Sequence, residues 1–426
     1  MTQQKITRRT ALAGLTAVSA LTVTACGGSA GGGDDGTSFS LMYSASNTLE
    51  SPFETLANKF MEEHPEITIE LNPVPNDTYG DTLRTQLQAG DAADVFQTDA
   101  GSGQTRSVIP LAEAGYLAPL GQETVDLIGE ESEALFMVDG EAYAQPLTLG
   151  FMGLIVNKTA FDELGVSEFP SDWDGMLALC EEARADGRSA ILVAGAAGPN
   201  MGMTAMNIAA TRVYAKTPDW NQQRADGATT FAESEGWIDT MQTIIDLNEA
   251  GCFQDGAEGA GFDVLTNGLT TGQGLSFFAP AATATEVTQV APDSEFVIQA
   301  FPPADAADGG FALMSPTYSM SLNADASESE AAKTFFAWLS EPAQADAFAE
   351  ISGGLPVTGL EEYDFTGTPY EPVSDLITQA DFAPLPNSEW ENPAVYDALG
   401  TGVQGLLTGQ QTVESVLASL DEAWDR

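Results

Sequence analysis

Along most of this chain, hydrophobic and polar residues follow two periods, one typical of strands and one typical of amphipathic helices. Strand-like patterns lie at residues 38–43 and 67–71, the second with strict alternation. Between them, apolar residues recur at the spacing of one helix face: Phe53, Leu56, Ala57, Phe60 and Met61. A helix near residues 79–88 and a strand at residues 94–96 repeat the order. This strand–helix–strand order predicts a parallel sheet with helices on its faces.

A second α/β block begins after Pro146. Further apolar strand-like runs, separated by helical patterns, lie at residues 152–156, 275–278, 296–300 and 319–322. Helical patterns fill the last third of the chain, at residues 328–339, 343–351, 393–407 and 412–424. With 43% hydrophobic residues, the roughly 390 residues of this folded part are long enough for two cores of ordinary domain size.

The first 25 residues have a different composition from the rest. Arg8 and Arg9 precede an apolar run over residues 11–25, and the run stops at Cys26. This run is shorter than the roughly 20 apolar residues that span a bilayer. A positive start, a short apolar segment and a small-residue cleavage site predict a secretory signal over residues 1–25.

The cysteine directly after this signal resembles the lipobox of bacterial lipoproteins. In that motif diacylglycerol is attached to the thiol, and cleavage leaves the cysteine, here Cys26, as the first residue of the mature chain. The following residues, 26–37, are then a glycine-rich flexible tether, of which residues 27–36 have a root-mean-square reach of roughly 17 Å. Two adjacent arginines also fit a twin-arginine signal, so twin-arginine and general secretory export both remain open.

The chain is strongly acidic, with 63 acidic and 14 basic residues. Three of the basic residues, Lys5, Arg8 and Arg9, lie in the predicted signal, which contains no acidic residue. Such a surface repels phosphate backbones and anionic headgroups, so nucleic acid is excluded as a partner and the membrane is reached only through the lipid on Cys26.

Cysteine and histidine are scarce. After Cys26 only Cys180 and Cys252 remain, and His64 is the only histidine. An oxidising compartment permits a disulfide, but Cys180 lies in a helical pattern and Cys252 follows a helix end, which favours two buried free thiols. The composition excludes zinc proteases and serine–histidine or cysteine–histidine nucleophiles, and no metal or cofactor is expected.

Eight short phrases, in the same order and spread over nearly the whole mature chain, resemble the family 1 extracellular solute-binding proteins of ABC importers, the group that includes maltodextrin-binding protein. They lie at residues 60–69, 88–96, 111–120, 153–158, 169–174, 331–339, 353–356 and 409–413. Each phrase is a weak signal by itself, and the resemblance is specific because the whole set occurs in the order that the family shows.

The resemblance implies an α/β, two-lobe type II periplasmic-binding-protein fold with a hinged cleft between the lobes. Lobe 1 is then residues 38–147 plus 309–342, and lobe 2 is residues 148–308 plus 343–426, with one hinge near residues 147–150. It also implies a monomeric, non-enzymatic receptor that delivers a small-molecule solute to ABC importer permease subunits. Together with the lipobox, it places the protein at the extracellular face of the cytoplasmic membrane of a Gram-positive bacterium.

A sugar site needs aromatic rings for stacking and carboxylates, amides and hydroxyls for hydrogen bonds, and ligands of α/β sheets bind beyond the carboxyl ends of strands. Candidates in lobe 1 are Ser44, Ser46, Asn47, Asp77, Tyr79, Gln97 and Asp99. Asp99 is the first choice, because the resemblance places its loop at the cleft. The loop 44–47 serves equally well as a helix N-cap.

The remaining candidates follow the second block of strands: Phe151, Phe278, Tyr318, Glu389, Trp390 and Tyr396. Phe278 lies where the family often carries a ligand-stacking tryptophan, and core packing is its alternative role. Phe151 is equally well explained as a buried hinge contact. The resemblance places the segment of Trp390 at the cleft.

The solute is expected to be a carbohydrate, from a monosaccharide to a trisaccharide or a glycoside. A polyol, a polyamine or a metal chelate on the same scaffold is the alternative, and cleft carboxylates would suit a polyamine. A secreted glycosidase that uses paired carboxylates is a further alternative. Phosphate and sulfonate ligands are disfavoured, because few basic residues are present to bind them.

Overall fold

The computed structural model describes residues 37–45, 51–75, 78–104, 106–129, 132–390 and 392–426. The predicted signal peptide, Cys26 and all of the predicted tether except Thr37 lie outside these ranges. Export and lipid attachment therefore stay predictions from the sequence.

The strands are β1 (Ser38–Ala45), β2 (Thr68–Pro75), β3 (Val95–Thr98), β4 (Leu117–Ala118), β5 (Met137–Val138), β6 (Glu141–Ala142), β7 (Gln145–Asn157), β8 (Ser276–Pro280), β9 (Phe296–Gln299), β10 (Ala312–Asn323) and β11 (Phe382–Ala383).

The α-helices are α1 (Pro52–Glu63), α2 (Tyr79–Ala89), α3 (Val108–Glu113), α4 (Gln122–Val125), α5 (Glu133–Phe136), α6 (Lys158–Leu164), α7 (Trp173–Ala185), α8 (Gly198–Ala209), α9 (Trp220–Ala225), α10 (Glu235–Glu249), α11 (Phe262–Thr270), α12 (Thr283–Val290), α13 (Glu330–Leu339), α14 (Pro342–Ser352), α15 (Ser374–Thr378), α16 (Ala394–Leu407) and α17 (Val413–Trp424). Within the described ranges, no helix is long and apolar enough to cross a membrane.

One mixed sheet connects most of the strands, in the order β2-β1-β3-β10-β7-β8. β1 pairs in parallel with β2 and with β3, which confirms the parallel arrangement predicted from their pattern. The sheet then continues antiparallel through β10 and β7, which are 12 and 13 residues long and run in opposite directions. These two long strands are the central connection of the molecule, since the shorter strands lie on either side of them.

Helix α1 shows how the sequence pattern determines local packing. Ser51 is its N-cap and accepts a hydrogen bond from the Phe53 backbone N–H at 3.4 Å, and Pro52 occupies the first turn, where no backbone donor is needed. Four of the five residues predicted for its apolar face are buried, Phe53, Leu56, Ala57 and Phe60, and Met61 is only partly buried. Burying each of the larger ones contributes roughly 1.5–3 kcal/mol to folding.

Two of the hydrophobic cores draw on separate stretches of the chain. The first contains Phe39, Phe60, Phe335 and their neighbours, with all its buried members between residues 39 and 147 or between 320 and 348. The second is built from residues 152–301 and 383–423 together with Leu313. Helix α14 packs Phe348 into the first core, although residue 348 falls in the stretch predicted for lobe 2.

Cys180 and Cys252 form a disulfide, with their Cα atoms 4.7 Å apart. The prediction of two free thiols is therefore wrong. The helix end that argued against pairing is what permits it, because Gly251, with a φ of 72°, reverses the chain directly after α10. That turn lies beside Arg184 in the last turn of α7, the helix that carries Cys180.

Candidate ligand-binding site

A group of polar side chains lies where β1 and β3 end, next to the middle of β10. Asp99 directly follows β3, and Tyr318 lies beside it because Ser319 of β10 pairs with Thr98. Because β1 and β3 are parallel neighbours, their carboxyl ends meet at the same sheet edge. We call this group the Asp99 cluster: Ser44, Tyr79, Gln97, Asp99, Arg106 and Tyr318.

An ion pair forms the centre of the Asp99 cluster. The Arg106 Nε–H donates to Asp99 Oδ2 at 2.7 Å, and the two side chains are 17% and 16% exposed. The backbone holds the pair in place, since the Asp99 N–H donates to the Arg106 carbonyl at 3.2 Å. Burial opposes the charge of Arg106, but the attraction of Asp99 outweighs it and raises the pKa of the guanidinium.

The aromatic ring of Tyr79 packs against the guanidinium of this ion pair. Its ring is fully buried at the start of α2, and the guanidinium carbon of Arg106 lies 5.2 Å from the ring centroid. The Tyr79 hydroxyl donates to the Gln97 carbonyl at 2.8 Å, and burial raises its pKa well above the ordinary value. Tyr79 therefore belongs to the cluster as a neutral platform for Arg106, with no surface of its own for a ligand.

Gln97 joins two strands inside the protein. Its Oε1 accepts hydrogen bonds from the backbone N–H of Ser44 at 2.9 Å and from the Ser44 hydroxyl at 2.7 Å. Gln97 is only 2% exposed, whereas Ser44 is half-buried. The two predicted residues are thus brought together, with the Gln97 amide oxygen satisfied by β1.

Tyr318, in the middle of β10, forms one side of the Asp99 cluster. Its half-buried ring packs edge-on against Phe53, at 5.4 Å between centroids, and against Phe348, at 5.8 Å. Burial, together with the negative charge of Glu286 on α12, raises the pKa of Tyr318 to about 12. The Glu286 side chain is exposed to solvent, but partial desolvation raises the pKa of its carboxyl.

Near Tyr318, the segment that follows α14 pairs with β7 through Leu355. Leu149 and Leu355 exchange backbone hydrogen bonds of 2.8 and 2.9 Å. Gly353 has a φ of 71°, and a side chain there would overlap the Thr285 hydroxyl of α12. Thr148 of β7 and Thr317 of β10 are 3.2 Å apart through their hydroxyls. Hydroxyls from both β7 and β10 therefore lie next to the Asp99 cluster.

The structure does not bring the predicted rings Phe151, Phe278 and Trp390 to this site. All three are buried, with exposures of 0%, 1% and 0%. Trp390 belongs to an aromatic group inside the second core, which we call the Trp390 cluster: Trp220, Phe231, Trp237, Trp390 and Trp424. For Phe278 the core-packing alternative describes this structure, Phe151 is likewise a buried contact, and Trp390 has no exposed ring to offer a ligand.

Two more predicted residues make contacts away from the Asp99 cluster. The Glu389 carboxylate accepts a hydrogen bond from the Asn221 side-chain amide at 2.6 Å. The Tyr396 hydroxyl donates to the Pro199 carbonyl at 2.8 Å, and burial raises its pKa. The predicted candidates Ser46, Asn47 and Asp77 lie outside the described residues.

The loop after Asp99 is bound to the segment that carries Trp390. The Ser102 N–H donates to the Ser388 carbonyl at 2.8 Å, and the Ser102 hydroxyl donates to the Trp390 carbonyl at 3.0 Å. A Cβ atom on Gly103 would overlap the Asn387 carbonyl. The backbone-to-backbone approach thus requires a residue without a side chain, and it fixes the end of β3 against the second core.

A surface groove of about 980 Å³ lies elsewhere, at the far end of β7. Lys158, Phe161, Glu295 and Pro369 are among its lining residues, and it includes no member of the Asp99 cluster. Among the described residues, the groove and the Asp99 cluster are therefore separate features of the surface.

The family model described as "Bacterial extracellular solute-binding protein" matches residues 45–346 of this chain. The chain belongs to this family. The resemblance seen in the sequence is thereby confirmed.

Among curated relatives, the melibiose/raffinose/stachyose-binding protein MelE of Bacillus subtilis is 24% identical over 378 residues, which are 87% of this chain and 83% of MelE. The multiple sugar-binding protein of Streptococcus mutans is 26% identical over 157 residues, which are 37% of this chain and 36% of that protein.

A solved structure of a sugar transporter from Bacillus licheniformis in complex with stachyose has a TM-score of 0.69 and 17% identity, and the match covers 91% of this chain and 98% of that one. Such likeness confirms the predicted two-lobe α/β fold of periplasmic solute-binding proteins.

Sequence reasoning missed Arg106, Glu286 and the threonine pair. Arg106 had a usable signal, because it is one of few basic residues in an acidic chain and follows Asp99 within one loop. Glu286 lies on a helix among many acidic residues and has no such signal. Thr148 and Thr317 meet only because β7 and β10 pair.

Proposed function

We propose that this solute-binding protein captures a carbohydrate, from a monosaccharide to a trisaccharide or a glycoside, at the Asp99 cluster. It then delivers the sugar unaltered to the permease subunits of an ABC importer. The Asp99–Arg106 ion pair is the observation that carries this proposal, because it is largely buried, held by the backbone and placed at the carboxyl ends of parallel strands.

The chemistry of the cluster suits a sugar. A hydroxyl group both donates and accepts hydrogen bonds, so a carboxylate next to a guanidinium complements neighbouring hydroxyls of one ring. The half-buried Tyr318 adds an aromatic face and a hydroxyl that stays protonated at neutral pH, since its pKa is about 12. The sugar ligands named for the relatives above support the same class of solute.

The proposed receptor has lobe 1 at residues 38–147 and 309–342 and lobe 2 at residues 148–308 and 343–426. β7 carries the chain across the first of these boundaries, and β10, its antiparallel partner, begins just after the second, so the paired strands are the proposed hinge. Closure of the lobes around a sugar gives the permease a shape to recognise. A lipid on Cys26 holds the monomeric receptor at the outer face of the cytoplasmic membrane.

A ligand panel tests the solute class. Melibiose, raffinose, stachyose and xylobiose are compared with sorbitol and spermidine by thermal shift, followed by calorimetry on each ligand that shifts the Tm. At least one sugar is expected to raise the Tm without release of reducing sugar. A shift by sorbitol or spermidine alone overturns the carbohydrate assignment in favour of a polyol or polyamine receptor, and sugar hydrolysis would indicate a glycosidase.

The variant Asp99→Asn tests the site. Because the variant loses a charged acceptor, its affinity for the bound sugar is expected to fall about 10-fold. Asp81→Asn is the matched control, since Asp81 is exposed on α2. An unchanged affinity in Asp99→Asn, with sugar binding intact in the parent protein, places the sugar elsewhere.

A further inference from the structure

Arg106 is a largely buried cation whose hydrogen-bonding capacity is only partly used. A guanidinium carries five N–H donors on three nitrogens. In this structure Nε donates to Asp99, and among the described residues no acceptor is bound by the two terminal nitrogens. Neither terminal nitrogen is among the fully buried unpaired atoms of the described residues, so both reach solvent, and this edge of Arg106 can donate to an acceptor that is not part of the protein.

The orientation of the guanidinium is fixed before any ligand arrives. Tyr79 lies under its face at 5.2 Å, Asp99 holds one edge at 2.7 Å, and the Asp99 N–H is bonded to the Arg106 carbonyl at 3.2 Å. The Tyr79 ring is itself anchored, with its hydroxyl bonded to the Gln97 carbonyl at 2.8 Å. A planar group held on a face and an edge presents its remaining edge in one direction, which reduces the entropy lost on binding.

The charges around Arg106 limit what it can bind. Asp99 already neutralises its charge, and Glu286 of α12 places a second carboxylate near Tyr318, the neighbour of Asp99. The charge of Arg106 is therefore already balanced by the adjacent carboxylate of Asp99. An acidic sugar would add a further negative charge to this group, whereas the oxygens of a neutral sugar accept hydrogen bonds without that repulsion.

On the basis of the proposed function, we propose that Arg106 is a specificity-determining residue that binds the sugar directly. Its two terminal nitrogens donate to neighbouring oxygens of a neutral sugar, and the carboxylate of Asp99, which already neutralises the guanidinium, excludes acidic sugars. Asp99 then has two roles, as an acceptor for the sugar and as the partner that orients Arg106.

The first test compares neutral and acidic sugars on the full mature chain. The neutral probes are melibiose, raffinose, stachyose and xylobiose, and the acidic probe is digalacturonic acid. We expect the tightest neutral sugar to bind at least about 10-fold more strongly than digalacturonic acid. Tighter binding of digalacturonic acid would overturn the proposal while leaving carbohydrate binding in place. If none of the five sugars binds and the monosaccharide galactose does not bind either, both the proposed function and this inference fail.

The second test uses Arg106→Gln and Arg106→Lys, with the exposed Arg84 of α2 as the site of the matched control Arg84→Gln. Arg106→Gln is expected to raise the Kd of the best neutral sugar about 10- to 100-fold, and Arg106→Lys about 10-fold, because lysine lacks the second terminal nitrogen. Arg84→Gln should stay within about twofold. Circular dichroism and the Tm of each variant establish that it is folded.

A double-mutant cycle distinguishes direct contact from mere orientation of Asp99. If Arg106 binds the sugar, Arg106→Gln still weakens binding about 10-fold in the Asp99→Asn background. If Arg106 acts only through Asp99, it causes no further loss in that background, and the proposed contact is wrong.

Discussion

The Asp99 cluster and the Trp390 cluster are joined by the hydrogen bonds of Ser102, yet they use aromatic residues in opposite ways. In the Asp99 cluster, Tyr79 and Tyr318 support charged and hydroxyl groups that keep some exposed surface. In the Trp390 cluster, rings pack on rings, with Trp390 at 5.9 Å from Phe231 and 6.4 Å from Trp237. Trp390 is fully buried.

This difference shows what an aromatic residue near a predicted cleft can mean. The Trp390 Nε1–H donates to Asn221 Oδ1 at 3.2 Å, so both the ring and its polar edge are satisfied inside the protein. Arg106 in the other cluster has donors with no described partner. Within the described part of the chain, the Trp390 cluster also has unpaired donors, the indole N–H groups of Trp220 and Trp237, but these are buried, whereas the free donors of Arg106 reach solvent, which is why the proposed site is placed at the Asp99 cluster.

The largest effect is expected from Trp390→Ala. Removal of a fully buried indole leaves a cavity in the second core and should lower the free energy of unfolding by about 4 kcal/mol. Urea unfolding followed by circular dichroism measures this loss. Trp390→Phe, which keeps a ring, should lose much less.

Sugar affinity at temperatures where Trp390→Ala is folded sharpens the comparison. The affinity should stay near that of the parent protein, because the ring has no exposed surface. A large loss of affinity with little loss of stability would contradict the assignment of Trp390 to the core and return it to the ligand site.

A smaller effect is expected where the two clusters meet. Gly103→Ala would force a Cβ atom into the Asn387 carbonyl, so we expect a loss of about 2 kcal/mol in the free energy of unfolding. Gly259→Ala is the matched control, because a Cβ atom there meets nothing within 4 Å. If both variants unfold at the same urea concentration as the parent, the contact between the clusters is not maintained in solution.

The local parts of the fold could be predicted from the sequence. The apolar spacing predicts one face of α1, and of its five residues only Met61 is not fully buried. Asp99 could be placed at a strand end because an apolar strand directly precedes it, and parallel strands bring such ends together.

Features that depend on distant pairing could not be predicted in this way. The resemblance places both Trp390 and Asp99 at the cleft, and only the packing of α9, α10 and α17 around Trp390 shows that its ring is in the core. The disulfide depends on a chain reversal at Gly251 beside α7, which spacing does not reveal. Glu286 reaches Tyr318 only through the pairing of β7 with β8 and β10.

The smallest expected effect concerns Tyr318 at alkaline pH. Its ordinary pKa is 10.0, and burial together with Glu286 raises it to about 12 in the folded protein. Between these values the unfolded chain loses the phenolic proton while the folded chain keeps it, so the free energy of unfolding falls as the pH rises. The stabilisation is fully present below pH 10 and is lost towards pH 12.

Tyr318→Phe removes this titration. Between pH 8 and pH 11.5, the variant should lose about 1 kcal/mol less stability than the parent protein, allowing for the partial exposure of the ring. Urea unfolding at a series of pH values measures the difference, and the other raised tyrosines cancel because both proteins contain them. If the free energy of unfolding falls equally with pH in both proteins, Tyr318 is solvated like a surface residue. The aromatic side of the Asp99 cluster would then be open to solvent, unlike the buried rings of the Trp390 cluster.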